Sequence, residues 1–179
     1  MRRDSFLVSL GVLAGAVLAA AAAETNGEPL PRAEVQPDKA LIYVARPAAM
    51  GFAVPIYFFA NEQFLGVNHG NGYFWTYVPP GKYIFWCKAE NVNVLAPMDV
   101  EAGRTYYFRQ KTVPGFIKAR AAVELVDPSE GDALIDDCQK LSEMTDKQRA
   151  RGEEHAKESW GRAQKEAAEA SAGQAGNPE

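Results

Sequence analysis

Between Leu41 and Val126 the apolar residues come in short runs, each closed by turn-forming residues, which is the rhythm of an all-β domain. Leu41-Ile42-Tyr43-Val44 reads as a strand ended by Arg46-Pro47. Pro55 to Ala60 and Phe64 to Val67 read as a pair joined by the short loop Asn61-Glu62-Gln63, followed by a strand from Tyr73 to Val78. Pro79-Pro80-Gly81 predicts a reversal of type II, with Pro80 presetting φ at the second turn position and Gly81 accepting positive φ at the third. The run that follows, Tyr83-Ile84-Phe85-Trp86-Cys87, is apolar on both faces and so demands cover on both. Asn91 to Val100 is weaker, with Pro97 pointing to an edge, and Thr105 to Phe108 and Arg120 to Val126 complete the set. Seven or eight such strands predict a mainly β fold, an antiparallel β-sandwich, with a small closed barrel as the other arrangement.

After Val126 the period changes. Asp127-Pro128 is an N-cap followed by proline at the first helical position, and Glu130 and Asp132 suit the positive end of a helix dipole. Leu134, Ile135, Cys138 and Leu141 fall on one helical face. This stripe predicts one C-terminal helix packed on a sheet, specifically over the doubly apolar run Tyr83 to Cys87. From Ser142 to Glu179 only Met144 and Trp160 are large and apolar, among alternating charges and many alanines. Pairs such as Glu153 with Lys157 and Glu158 with Arg162 support a helix weakly, while Gly152 and Gly161 interrupt it. The expectation is a charged tail over 142–179, disordered or a fluctuating helix.

The other end of the chain bears on compartment. Arg2-Arg3, the apolar stretch Phe6 to Leu18 and the small residues Ala21-Ala22-Ala23 have the three parts of a signal peptide, predicted over 1–23 with cleavage near Ala23-Glu24. An uncleaved anchor is the other reading, and would be the chain's contact with a membrane. Arg2-Arg3 leaves the general and twin-arginine export routes open. Because no cysteine follows the apolar stretch, no lipid anchor is expected. The segment 24–39, with three prolines, reads as an extended linker. A periplasmic or secreted location follows, with residues 40–141 as the folded domain.

Charge then narrows the partners. The whole chain carries −4 and the leader +1, leaving −5 on the remainder, a poor match to the concentrated basic surface that nucleic acid requires. Histidine is scarce: His69 lies in the loop Asn68 to Gly72, read as a hairpin, and His155 in the charged tail. No His, Cys and carboxylate cluster has metal-ligand spacing, and no phosphate-binding or dinucleotide loop is present, so no metal and no cofactor are expected. The neighbours Asp136-Asp137 and Glu153-Glu154 splay about 100° apart on a helix and form no paired-carboxylate site. Cys87 and Cys138 either pair as a disulfide, closing a loop worth about 4 kcal/mol in the chain-entropy treatment, or stay buried as thiols. Alternation sends Tyr73, Trp75 and Tyr77 to one face and Phe74, Thr76 and Val78 to the other. With Trp86, residues Trp75 and Tyr77 are the candidate aromatic platform for a sugar or a partner; core packing is the other use of such rings.

"ALIYVARP", the hairpin from Asn61 to Gly66, "YVPPGKY", "EAGRTYYFRQ" and "VELVDPSEG", in that order, resemble the bacterial secreted domain family DUF2846, over about residues 40 to 140. Pro-Pro-Gly-Lys-Tyr also resembles the turn of PEGA modules. The resemblance implies an exported β-sandwich without established activity or catalytic residues. The expectation is therefore a non-catalytic β-sandwich acting as a binding or structural accessory of the cell envelope, with an envelope protein or glycan as partner. A glycan-binding module using Trp75, Tyr77 and Trp86 is the alternative. A hydrolase built on His69 and distant carboxylates comes third.

Overall fold

The computed structural model describes residues 29–47, 53–114 and 120–175; the leader expected over 1–23 lies outside them. Along the chain run β1 (Ala40–Arg46), β2 (Ile56–Ala60), β3 (Gln63–Asn68), β4 (Gly72–Val78), β5 (Gly81–Tyr83), β6 (Phe85–Lys88), β7 (Val92–Val94), β8 (Met98–Val100), β9 (Thr105–Val113), β10 (Arg120–Val126), α1 (Pro128–Asp136), β11 (Lys140–Leu141) and α2 (Asp146–Ala175). The first sheet has the order β10-β9-β1-β4-β11, the second β3-β2-β6-β7, and β5 with β8 makes a small third. The mainly β sandwich stands. Its first sheet is mixed rather than purely antiparallel: β1 runs parallel to β9, and β11 parallel to β4.

Side-chain alternation sorts the residues into three apolar layers. Between the sheets lie Ile42, Val44, Phe58, Phe74, Phe85, Cys87 and Phe108, with the Phe85 and Phe108 rings 4.6 Å apart. Burial of each such side chain is worth roughly 1.5–3 kcal/mol, so this layer is the main source of stability. The opposite face of the first sheet presents Leu41, Tyr43, Ala45 and Tyr73, covered by Leu134, Ile135 and Cys138. The outer face of the second sheet presents Tyr57, Phe59, Val67 and Trp86, covered by Ala156 and Ala163 of α2.

The C-terminal helix therefore packs on a sheet, but on the other one. Asp127 alone separates β10 from α1, and β10 is an edge strand of the first sheet. So short a connection holds the helix against its own sheet, while Phe85 to Lys88 belongs to the second sheet across the sandwich. Trp86 is instead roofed by α2, in the segment expected to be disordered or fluctuating. The apolar count along 142–179 is low because the facing sheet supplies the large side chains. Gly152, Ala156, Ser159, Ala163 and Ala167 line the buried face of α2, and small residues let its backbone lie close to aromatic rings.

Three local readings also change. The run 83–87 does not continue through Ile84: Gly81–Tyr83 joins β8, and Phe85–Lys88 enters the second sheet. Gly81 opens β5 at φ 157°, whereas the third position of a type II turn needs about 80°. Asn68 to Gly72 is a corner between the two sheets rather than a hairpin, with Asn71 in the left-handed region at φ 61°.

Candidate functional site

The three rings of the expected platform do not meet. Trp75 and Tyr77, on β4, lie with Tyr43 and Tyr73 on the outer face of the first sheet, as alternation predicts. Trp86 sits on the second sheet, fully buried, with its ring stacked on Phe59 at 3.9 Å and its Nε1 donating to the Asn61 carbonyl at 2.9 Å. The face holding Trp75 is closed by the segment read as a linker. The Tyr73 hydroxyl donates to the Pro31 carbonyl and that of Tyr77 to the Glu34 carbonyl, each at 2.6 Å, while the Ala33 N–H donates to the Tyr43 hydroxyl at 2.7 Å. Arg32 completes the strap with a 2.6 Å bond to Asp136 of α1.

Nor do the cysteines meet. Cys87 lies between the sheets and Cys138 under α1, in different layers, and both are free thiols. Cys87 faces the inner side of the first sheet and Cys138, just past the end of α1, its outer side, which separates the two thiols of the expected bridge. Burial pushes the Cys87 thiol far above its ordinary range, and burial raises Cys138 to about 11. Both are held protonated at neutral pH, the inert state for nucleophilic chemistry.

His69 is half-buried at the corner before β4, its Nε2 2.8 Å from the Gln148 amide of α2. Ser142, nearby in the same shallow cavity, donates its hydroxyl to Asn68 Oδ1 at 2.6 Å rather than to the imidazole. Among the described residues no group of three His, Cys, Asp or Glu gathers as a metal site, and no helix is long and apolar enough to cross a membrane.

What the sequence reading missed is polar and buried. Arg46, Asn68 and Gln110 have no exposed surface. Arg46 donates to the Val54 carbonyl and to Thr112 Oγ1, and Asn68 Nδ2 donates to the Val44 carbonyl and Gln110 Oε1. These bonds join β1, β3 and β9 at one end of the sandwich and pair much of a polar cluster whose burial would otherwise cost free energy, Gln110 Nε2 excepted. Arg46 and Asn68 look in the sequence like ordinary polar residues at strand ends, and no local signal marks them as buried.

Two of the concavities beside α2 lie at opposite ends of the strands beneath it. The larger, about 600 Å3, lies between the β2–β3 turn, the β5–β6 corner and the helix, with Tyr83, Ile84, Pro97 and Trp160 as apolar lining and Glu62, Gln63 and Lys82 as polar groups. Its volume is within the range of small-ligand sites. The second, about 320 Å3, lies at the other end of the same strands beside His155.

No curated protein and no solved structure matches the chain. Residues 36–122, from just before β1 to the start of β10, match a family model, so this part of the chain belongs to the family described as "Protein of unknown function (DUF2846)".

Proposed function

We propose that the chain is an exported, non-catalytic domain that holds a component of the cell envelope, an envelope protein, in the groove between Tyr83 and Trp160. The observation that carries this reading is the groove itself: an apolar floor of Tyr83, Ile84, Pro97 and Trp160 bordered by Glu62, Gln63 and Lys82. Both outer sheet faces are occupied by the chain's own strap and helices, which leaves this corner as a place for a partner. The non-catalytic part is supported by the state of the reactive groups, since both thiols are buried and held protonated. Export is supported by the leader pattern Arg2-Arg3, Phe6 to Leu18 and Ala21-Ala22-Ala23.

The test is a photo-crosslinking residue placed at Gln63 or Lys82, with Arg109 on the opposite sheet as the comparison site, followed by fractionation of the cells. The expected product is a discrete adduct from Gln63 and Lys82, formed by a chain that starts near Glu24 and lies outside the cytoplasm. Equal adducts from Arg109 would overturn the groove. Recovery of a cytoplasmic chain that retains Met1 would overturn export.

A glycan-binding reading moves to this same groove, because Trp160 and Tyr83 are half-exposed rings with hydrogen-bonding neighbours, whereas Trp86 is closed. It predicts quenching of tryptophan fluorescence by soluble envelope glycan fragments in the parent chain and not in Trp160→Ala.

A further inference from the structure

The cavity of about 320 Å3 between α2 and the ends of β2 and β6 is rich in donors. Tyr57 comes from β2, Lys88 from β6, and Arg151 and His155 from α2, one turn apart. Glu90 is the single acid among the lining residues. His155 is 8% exposed and packs edge-on against the Tyr57 ring, with centroids 5.1 Å apart. Its Nδ1 stands 3.6 Å from Glu158 Oε2, at ion-pair rather than hydrogen-bond distance. That nitrogen is closed off from solvent, while the residue lines the cavity wall.

On α2, Arg151 bonds Glu154, and Glu158 stands beside His155. From β6, Lys88 faces the imidazole; from β2, Tyr57 does so; Glu90 follows β6 at the cavity wall. Burial first, and then Arg151 and Lys88, hold the imidazole below its ordinary value of 6.5 against the opposing pull of Glu158. A buried, neutral imidazole is thus kept next to two cations and a phenol, a set of groups matched to an acceptor-only ligand.

We infer that this cavity binds a small oxyanion, a carboxylate or phosphate group, between Lys88 and Arg151, with the Tyr57 hydroxyl and the His155 imidazole as further hydrogen-bond donors. Charge-assisted bonds of this kind are the strong ones, and the guanidinium fork suits a planar or tetrahedral oxyanion. The donors are divided between the second sheet and α2, so the ligand ties the helix to the domain beneath it. This inference is independent of export and of the groove at Trp160.

The test titrates the purified chain with inorganic phosphate, sulfate or succinate at constant ionic strength, with chloride as the comparison, reading heat and Tm. The expected result is saturable binding of at least one oxyanion, with a Tm that rises with its concentration. Binding of phosphate and sulfate without succinate assigns the phosphate class, and succinate alone the carboxylate class. Lys88→Gln and Arg151→Gln each weaken binding by about tenfold, Lys88→Arg retains it, and Lys165→Gln, on the exposed face of α2, leaves it unchanged. Sulfate, which keeps its charge, binds more tightly as the pH is lowered below about 6.5 and His155 takes a proton. A Tm response no larger than that to chloride overturns the inference. So does a Lys88→Gln chain with lowered Tm but an unchanged response to every oxyanion, because Lys88 would then be structural only.

Discussion

Gly152 and Gly161 lie on the same helix and face opposite environments. A Cβ at Gly152 would come within 2.6 Å of the Phe64 ring carbons, whereas at Gly161 nothing lies within 4 Å. Alanine is the better helix former by about 1 kcal/mol, so the environment decides the sign. Gly161→Ala is expected to raise stability by up to about 1 kcal/mol, and Gly152→Ala to lower it by about 1–2 kcal/mol despite the propensity gain, both read from denaturant unfolding. The glycines that look like helix interruptions in the sequence thus have different origins, one a contact and the other an open surface. The thiols make a second test at this scale. With Cys87 closed between the sheets and Cys138 raised to about 11 by burial, neither is expected to react with a disulfide reagent near pH 8 until the chain is unfolded, when both react. Rapid labelling of the native chain, or a bridge found by mass before reduction, would contradict the separate layers.

At the scale of elements, α2 depends on its site more than on its sequence. It carries one large apolar side chain, Trp160, and lies over Tyr57, Phe59, Phe64 and Trp86. Removing residues 142–179 is expected to uncover this aromatic face. The measurable consequences are dye binding to exposed apolar surface, a red shift of tryptophan emission and a lower unfolding midpoint. A truncated chain that keeps the parent midpoint would show that the helix contributes nothing to the fold. The strands and α1 were legible because each carries its own signal: alternation in Tyr73 to Val78, and the Asp127-Pro128 start with Leu134 and Ile135 behind it. What was not legible is cover supplied from a distance. The segment around Leu30 and Ala33 reads as a linker because its bonds go to hydroxyls of Tyr43, Tyr73 and Tyr77, far along the chain. The burial of α2 is written mainly in β2, β3 and β6. The platform Trp75, Tyr77 and Trp86 failed for the same reason, since sheet membership is decided by pairing and not by the local run.

For the molecule as a whole, one titration couples the helix to the sheet. His155 has a folded pKa held below 6.5, chiefly by burial and then by Arg151 and Lys88. A group with a depressed folded pKa contributes stability above its unfolded value and loses it as the pH falls through the folded one, because the unfolded chain binds the proton first. Stability is therefore expected to decline as the pH drops below about 6.5, and His155→Gln to flatten that decline while leaving a shallower loss below about pH 4 from carboxylates. Asp127, whose bonds from the Ser129 hydroxyl and N–H hold its carboxyl below the ordinary range, belongs to that lower window. Equal slopes in parent and variant between about pH 7 and 5 would remove His155 from this role.

The position of β1 has a consequence for the order in which the chain is completed. Its neighbours are β4, antiparallel, and β9, parallel, with Ala45 opposite Arg109. The first strand made is the middle one of its sheet, and one flank stays open until some sixty residues later have been synthesised. Contacts of such long sequence separation are slow to close. Until then Leu41 to Ala45 is an apolar ribbon with an unfilled row of backbone donors and acceptors, open to mispairing with any other exposed strand.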